Sequence, residues 1–156
     1  MMTLPYSTAT SGDKALGEIK KILQRFGCGK FGVMTDWDTG ILIVQFEWNG
    51  ARISFPANFN GYASAYLKEK PYNSRMHCTR TQYEAKALEI GSMAVYSILR
   101  DWIKAQVTAV ETGLVSFEEV FMAHVLLPNG QRLIEHAKAN NLMPLPSPPI
   151  NAENIS

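Results

Sequence analysis

Metal ligation and nucleophilic catalysis are the chemistries open to the cysteines and histidines of this chain, which are Cys28, His77, Cys78, His124 and His136. A structural zinc site needs four such ligands at close spacing, and the sequence has no C-x-x-C or H-x-x-x-H pattern. Only His77 and Cys78 are adjacent, and adjacent side chains of an extended segment point to opposite faces. They therefore do not suit a nucleophile with its base, and adjacent metal ligation is the alternative left open for this pair. We expect no metal site and two reduced thiols.

Asp36 and Asp38 alternate onto one side of the chain, where together with Glu47 they form a candidate cation site. The same two residues belong to an Asp-Trp-Asp-Thr-Gly sequence, which is typical of a turn. Ser116 near Glu118 suggests a nucleophile, but the pattern is equally that of a helix start. No glycine-rich phosphate loop follows a predicted strand. We therefore predict a protein that is not an enzyme and that holds no cofactor.

The strongest candidate binding segment runs from Phe59 to Arg80. It interleaves aromatic and basic side chains, and its only acidic residue is Glu69. Proteins that bind single strands combine cations along the backbone with aromatic rings on which bases stack, each stacked base contributing about 1–3 kcal/mol. The predicted nucleic-acid site consists of Tyr62, Tyr66, Lys68, Lys70, Tyr72, Arg75 and Arg80.

Two other interpretations of this segment stay open. Tyrosines in a loop often fold back onto the core, and neighbouring lysines are often only solvated. A protein–protein interface is the other functional alternative, because Tyr, Trp and Arg are favoured at interface centres. Trp37, at a predicted turn, would then be a further anchor. Salt separates the two binding functions, since nucleic-acid affinity falls steeply as salt rises.

Composition sets limits on these functions. The chain has 156 residues, of which 46% are apolar and 19% are charged, as in an ordinary globular protein. A net charge of +1 excludes a strongly basic protein but leaves room for a local basic face. The polar N-terminus predicts no secretory signal, and no apolar run is long enough to span a membrane.

Periodicity predicts the elements that position the candidate residues. Ser11 or Asp13 is expected to cap a first helix that ends at Phe26, before Gly27. An alternating pattern then predicts three antiparallel strands. The first contains Phe31, Val33 and Thr35, the second is Ile41 to Trp48, and the third is Ala51 to Phe55, ended by Pro56. Asn49-Gly50 predicts a type I′ turn, and residues 57–79 are expected to form a long irregular connection.

A long helix is predicted from Thr81 to Thr112, with Thr81 and Glu84 as its capping box and Gly113 just past its end. Its apolar stripe, expected to cover the sheet, comprises Leu88, Val95, Leu99, Trp102, Val107 and Val110. Ser116 and Glu119 predict a short helix, and residues 132–140 predict another. The fold class is therefore α+β, with one domain at 1–146 and a Pro-rich extended tail at 147–156. Beyond Trp102 the long helix is expected to pack on the last helices or on a second copy, giving a homodimer.

The C-terminal third contains a series of short motifs: Ile103-Lys104-Ala105, Val110-Glu111-x-Gly113, Phe117-Glu118-Glu119-x-Phe121, His124-Val125-x-Leu127-Pro128-Asn129-Gly130 and Met143-Pro144-Leu145-Pro146. Over about residues 100–146 this pattern resembles a family of small, uncharacterised proteins of tailed phages and prophages, which similarly pair a short meander with a helix. Asn129 replaces the commoner Asp, and either residue fits the turn. The resemblance implies a phage origin and action in a bacterial cytoplasm, and it implies no particular chemistry.

The sequence thus predicts a non-enzymatic phage accessory protein that binds nucleic acid, preferably single-stranded. The alternative is a phage-encoded inhibitor or adaptor that binds a bacterial host protein, such as a component of a defence system. Neither function involves a membrane, and we expect both to operate in the cytoplasm.

Overall fold

The computed structural model describes residues 3–142, and the predicted α+β fold is confirmed. The elements, in chain order, are α1 (Gly12–Phe26), β1 (Lys30–Asp36), β2 (Ile41–Trp48), β3 (Ala51–Asn58), α2 (Phe59–Glu69), α3 (Arg80–Glu111), α4 (Phe117–Phe121), a 3-10 turn (Met122–His124) and α5 (Leu133–Ala139). The Pro-rich tail predicted at 147–156, and the Met143–Pro146 motif before it, lie outside the described residues.

Helix α1 begins and ends where its capping residues predict. The Ser11 hydroxyl accepts a hydrogen bond from the Lys14 N–H at 3.2 Å, and Gly27 ends the helix with a φ of 98°. This left-handed conformation costs a glycine nothing. The chain then enters β1 through Cys28, whose burial raises the pKa of its thiol to about 11. The thiol therefore stays protonated at neutral pH.

The strands form the predicted antiparallel meander in the order β1-β2-β3. Asn49 and Gly50 have φ values of 48° and 83°, as the type I′ turn requires. The prediction that Pro56 ends the third strand is wrong, because Pro56 pairs with Ile43 and β3 continues to Asn58. The Trp48–Ala51 pair closing the hairpin is hydrogen-bonded, so the alternation places Pro56 in a non-hydrogen-bonded pair. Its missing N–H therefore removes no bond to β2.

The predicted irregular connection at 57–79 is also wrong over its first half, which forms helix α2. The side chain of Asn58 accepts a hydrogen bond from the Asn60 N–H at 3.0 Å and so caps this helix. Helix α2 lies antiparallel to α3 and crosses it at Gly91. A Cβ atom added at Gly91 would stand only 2.8 Å from the Phe59 carbonyl oxygen and 3.3 Å from the Ala63 nitrogen. The absence of a side chain at Gly91 therefore lets the two backbones approach.

Replacing Gly91 with alanine is expected to destabilise the fold by about 1–3 kcal/mol, the usual range for overpacking. Intrinsic helix propensity alone favours alanine over glycine by about 1 kcal/mol, so the contact reverses the usual sign. Gly61→Ala is the matched control within α2, because an added Cβ there meets nothing within 4 Å. Urea denaturation of both variants measures the difference. A more stable Gly91→Ala variant would contradict the close crossing.

Helix α3 covers the sheet with the predicted stripe, and Val95, Leu99 and Val107 are buried in one cluster with the inner faces of the strands. Leu88, in contrast, is 38% exposed and does not belong to this stripe. The predicted capping box lies two residues too far along the chain. Thr79 is the capping residue, and Gln82 completes the box. Gly113 follows the helix with a φ of 75°, as predicted.

Beyond the middle of α3 the helix packs on the C-terminal elements of its own chain. The Trp102 ring lies 4.6 Å from that of Phe55 and 6.1 Å from that of Phe121, between ring centroids. Phe121 is fully buried and opens the 3-10 turn that follows α4, while the Ser116 hydroxyl caps α4 by accepting from the Glu119 N–H at 3.2 Å. Of the two expected packing partners for this part of α3, the structure shows the last helices.

His124 lies in this cluster beside a cation. Its ring centroid is 4.2 Å from that of Phe55, and its Nδ1 is 3.2 Å from an Arg132 nitrogen. Burial, and secondarily the Arg132 charge, lower the pKa of His124 below its usual value. The unfolded chain therefore takes up a proton at His124 more readily than the folded chain. This contribution to stability is fully present above about pH 6.5 and decreases as the pH falls toward the lowered pKa of the folded state.

We expect the melting temperature of the wild-type protein to fall as the pH is lowered from about 7.5 to about 5.5, and His124→Gln to remove part of that fall. Glutamine keeps an acceptor for Arg132 but cannot be protonated in this range. His77→Gln, at an exposed histidine, is the matched control. Calorimetry across this pH range measures the effect, and identical pH dependence in wild type and His124→Gln would contradict it.

Candidate nucleic-acid interface

The predicted site lies where α2 turns into α3, and we call residues 66–80 the α2–α3 corner. The Lys70 N–H donates to the Tyr66 carbonyl at 2.8 Å and ends α2. Asn73 then organises a turn by accepting the Arg75 N–H at 2.9 Å. The corner closes on the capping box of α3, in which Thr79 and Gln82 exchange hydrogen bonds of 3.0 and 3.1 Å.

Two tyrosine hydroxyls hold the corner against α3. The hydroxyl of Tyr83 donates to the Lys70 carbonyl at 2.6 Å, and that of Tyr72 donates to the Cys78 carbonyl at 2.9 Å. The two rings contact each other with centroids 5.9 Å apart. Tyr83 is buried and was not among the predicted site residues, although its spacing to the buried Ala87 and Gly91 is that of one helix face.

The four predicted cations, Lys68, Lys70, Arg75 and Arg80, are all exposed. Two of them stand over rings. The Arg80 guanidinium carbon is 5.2 Å from the centroid of Tyr72, and the Lys70 nitrogen is 5.6 Å from that of Tyr66. None of the four forms an ion pair within 4.0 Å among residues 3–142. The positive charge of the corner is therefore not neutralised by contacts within the described chain.

The one acidic residue of the segment, Glu69, is turned toward the N-terminal arm, residues 3–11, which precedes α1. Its Oε2 atom accepts a hydrogen bond from the Leu4 N–H at 2.8 Å. The Tyr62 hydroxyl also engages the arm by donating to the Pro5 carbonyl, while its ring packs against the core. The structure thus brings Tyr66 together with Lys70 and Tyr72 together with Arg80. Tyr62, one turn before Tyr66 in α2, instead contacts Pro5.

Helix α3 adds to the positive potential of the corner. The N-terminus of a helix carries the positive end of its dipole, and acidic residues normally stabilise it by about 0.3–1 kcal/mol. Helices α1, α4 and α5 each have an acidic residue in the first turn. Helix α2 has none there, and neither has the 32-residue helix α3, which begins with Arg80. The first turn of α3 therefore has no acidic residue to offset the positive end of the helix dipole.

The basic face of α1 does not join the corner. Arg25 forms an ion pair with Glu111 at 3.5 Å, which places the C-terminal end of α1 beside the C-terminal end of α3. Glu111 and Arg80 are at opposite ends of α3, about 46 Å apart at the helical rise per residue. Lys20, Lys21 and Arg25 therefore form a separate exposed patch on α1.

The remaining candidate groups for chemistry are Asp36 in the β1–β2 turn and the possible metal ligands. The Asp36 Oδ1 atom accepts the N–H groups of Asp38 and Thr39 at 3.0 and 3.2 Å, as expected of a turn. Hydrogen bonds from Thr39 hold the pKa of the Asp36 carboxyl below its usual value. Across residues 3–142, no group of three or more His, Cys, Asp or Glu side chains is placed to hold a metal ion.

Comparison with protein-family models, with curated proteins and with solved structures finds no match for this chain. None of the helices described between residues 3 and 142 combines the length and the apolar character needed to cross a membrane.

Proposed function

We propose that the protein binds nucleic acid through the α2–α3 corner, with single strands preferred. Lys68, Lys70 and Arg75 contact backbone phosphates from the exposed side of the corner, and Arg80 does so at the N-terminus of α3. The observation that carries the proposal is the uncompensated positive charge of this corner, where the dipole of a 32-residue helix adds to four exposed cations.

Single strands suit the corner better than duplexes because its rings are half-exposed at the surface. Tyr66 and Tyr72 each have a cation near the ring, and a base stacking on the other side would be held between the ring and a phosphate contact. The corner is a turn of irregular backbone, not a helix or two-stranded ribbon that would fill a major groove. Tyr62 contributes less than the sequence predicts, because its hydroxyl and ring are already occupied.

Fluorescence anisotropy with labelled single-stranded DNA, duplex DNA and single-stranded RNA tests this proposal at low and at physiological salt. If the four cations neutralise four phosphates of a single strand, the logarithm of the binding constant should fall with the logarithm of salt concentration. The slope should be about −2.8 or less steep. Absence of binding to all three ligands at low salt would exclude the proposal.

An inhibitor or adaptor of a host protein is the second candidate, and the exposure of Trp37 favours it. This side chain stands at the β1–β2 turn and is 69% exposed, with its ring centroid 5.6 Å from that of Phe59. Exposed tryptophans are typical anchors of protein interfaces. Such a complex would be lost in Trp37→Ala and would depend only weakly on salt, whereas nucleic-acid binding at the distant corner would survive this substitution.

The resemblance of the C-terminal motifs to small phage proteins gives both candidates the same setting. We propose that the protein is a phage accessory factor acting in the cytoplasm of a bacterial host. Nucleic acid is abundant there, and both candidate ligands are accessible to it.

A further inference from the structure

Strand β1 leaves one edge of the sheet without a partner. The opposite edge, on β3, is covered because Ile53 forms a bridge with Val125 and the Leu126 N–H donates to the Arg52 carbonyl at 2.8 Å. Across residues 3–142, no strand or isolated bridge pairs with the outer side of β1. Exposed edges of this kind are templates for pairing with another chain.

The register identifies which backbone groups face outward. The two-residue turn at 49–50 makes Trp48 and Ala51 a hydrogen-bonded pair, so every second residue of β2 bonds to β3. The residues between them bond to β1, where they face Lys30, Gly32, Met34 and Asp36. The N–H and C=O groups of Phe31, Val33 and Thr35 therefore point to the free edge.

This edge lacks the usual protection against pairing. Its ladder with β2 is continuous over seven residue pairs, with no bulge, and the strand contains no proline. Met34 is 59% exposed on the outer face, and a Cβ atom added at Gly32 would meet nothing within 4 Å. Charged side chains occupy only the two ends of the strand, at Lys30 and Asp36.

The sequence of this edge is complementary to itself, and we infer that a second copy of the chain docks on it. The two β1 strands pair antiparallel about a twofold axis at Val33, which joins the two meanders into one six-stranded sheet. Lys30 then faces Asp36 of the second copy, Gly32 faces Met34, and Phe31 faces Thr35. Lys30 and Asp36 carry opposite charges, and Phe31 with Thr35 pairs an aromatic with a β-branched side chain. Both are favourable cross-strand combinations.

The axis at Val33 is the register that uses all three outward-facing residues. Val33 pairs with itself, and Phe31 pairs twice with Thr35, which gives about six main-chain hydrogen bonds. An axis at Met34 would bring Phe31 opposite Trp37 in the turn, and an axis at Gly32 would place Lys30 opposite Met34.

The charged ends of the strand are compatible with this pairing. Lys30 is exposed and contacts Glu47 only at 3.4 Å, so its ammonium group has donors left for a second carboxylate. The two backbone N–H groups that bind Asp36 in the turn both use its Oδ1 atom, and a carboxylate has about four acceptor sites, so acceptor capacity remains for the lysine. The twofold axis forms this ion pair at both ends of the interface.

Analytical ultracentrifugation of the full chain, followed by oxidation of a Gly32→Cys/Met34→Cys variant, tests the inference. Residues facing each other in a non-hydrogen-bonded pair have Cα atoms about 4.5 Å apart, within disulfide range. The variant should form a disulfide-linked dimer through Cys at 32 and Cys at 34 of the second copy. Met122→Cys, at an equally exposed methionine (55%), is the control for random cross-linking. Both carry Cys78→Ser, which removes the more exposed native thiol.

A wild-type protein that stays monomeric over the whole concentration range overturns the inference. So does a dimer whose double-cysteine variant cross-links no more than the Met122→Cys control, because its interface then lies elsewhere. Hydrogen exchange of the wild type gives a measurement free of any substitution. In the dimer the amides of Phe31, Val33 and Thr35 should exchange at least about tenfold more slowly than in the diluted monomer.

Discussion

Replacing Lys68, Lys70 and Arg75 together with glutamate should weaken the binding of single-stranded nucleic acid on the order of a hundredfold or more. Each substitution removes a phosphate contact and adds a repulsive charge at the same position. The three side chains are exposed and form no ion pair among residues 3–142, so the folded state loses only the exposed contact of Lys70 with the Tyr66 ring. Anisotropy at fixed salt measures the affinity, and the melting temperature should stay nearly unchanged.

The patch on α1 provides a control with the same change of net charge. Lys20, Lys21 and Arg25 are also exposed, and replacing these three with glutamate alters the long-range potential equally, at the far end of α3. This control should lose much less affinity than the corner variant. Equal losses in the two variants would mean that binding follows net charge alone, and unaltered affinity in a folded corner variant would exclude the corner as the site.

Replacing Phe121 with alanine should cost about 3–5 kcal/mol of the free energy of unfolding, the range for a buried phenylalanine. Phe121 is fully buried, and its ring contacts those of Phe46, Phe55, Trp102 and Phe117. The substitution removes the ring through which α4 contacts both the sheet, at Phe46 and Phe55, and α3, at Trp102. The loss is a large fraction of the about 5–15 kcal/mol by which a folded domain is stable.

Chemical denaturation measures this loss, and the neighbouring Met122→Ala is the matched control. Met122 is adjacent in sequence but 55% exposed, so its truncation should change stability by less than about 0.5 kcal/mol. Phe121→Leu should lie between the two, because it keeps part of the buried volume. A Phe121→Ala variant as stable as Met122→Ala would mean that the aromatic cluster does not hold the C-terminal elements on the sheet.

Local signals predicted the parts of the fold that depend on only a few neighbouring residues. Ser11 marks a helix start by its hydroxyl, Gly27 and Gly113 mark helix ends by their left-handed backbone, and Asn49-Gly50 marks its turn in the same way. The alternation of β2 is also a local property, and in the structure it places Leu42, Val44 and Phe46 on the buried face. These features need no knowledge of distant contacts, so the sequence is sufficient for them.

Features that depend on distant contacts were not predicted. From sequence alone, Asn58 interrupts the alternation of the third strand and predicts a loop. In the structure it caps α2, which packs closely on α3 at Gly91. A proline normally ends a central strand. Pro56 is tolerated because β3 is an edge strand and the proline nitrogen points away from β2. The cap of α3 lies at Thr79 and not at Thr81. The sequence does not separate these two residues, because both offer a hydroxyl before the same apolar pattern.

The candidate site shows the same division. Residue types and the scarcity of acids identified the basic segment, whereas the pairing of Tyr72 with Tyr83 requires the fold. The contact of Tyr62 with Pro5 joins residues 57 positions apart, and no local pattern indicates it. Sequence analysis therefore identified the charges of the corner and could not determine which rings are free to bind.

The hydrogen bonds of Tyr72 and Tyr83 also affect the thermodynamics of any complex formed at the corner. A segment that orders only on binding loses conformational entropy at that moment and gives up part of its affinity. The corner is already tied to α3 through the Cys78 and Lys70 carbonyls, so its cations are displayed on a fixed backbone. Binding then requires the ordering of flexible side chains and of the ligand alone. A rigid array of this kind favours one spacing of phosphates over others. The spacing of its cations therefore sets the length of the shortest strand that binds.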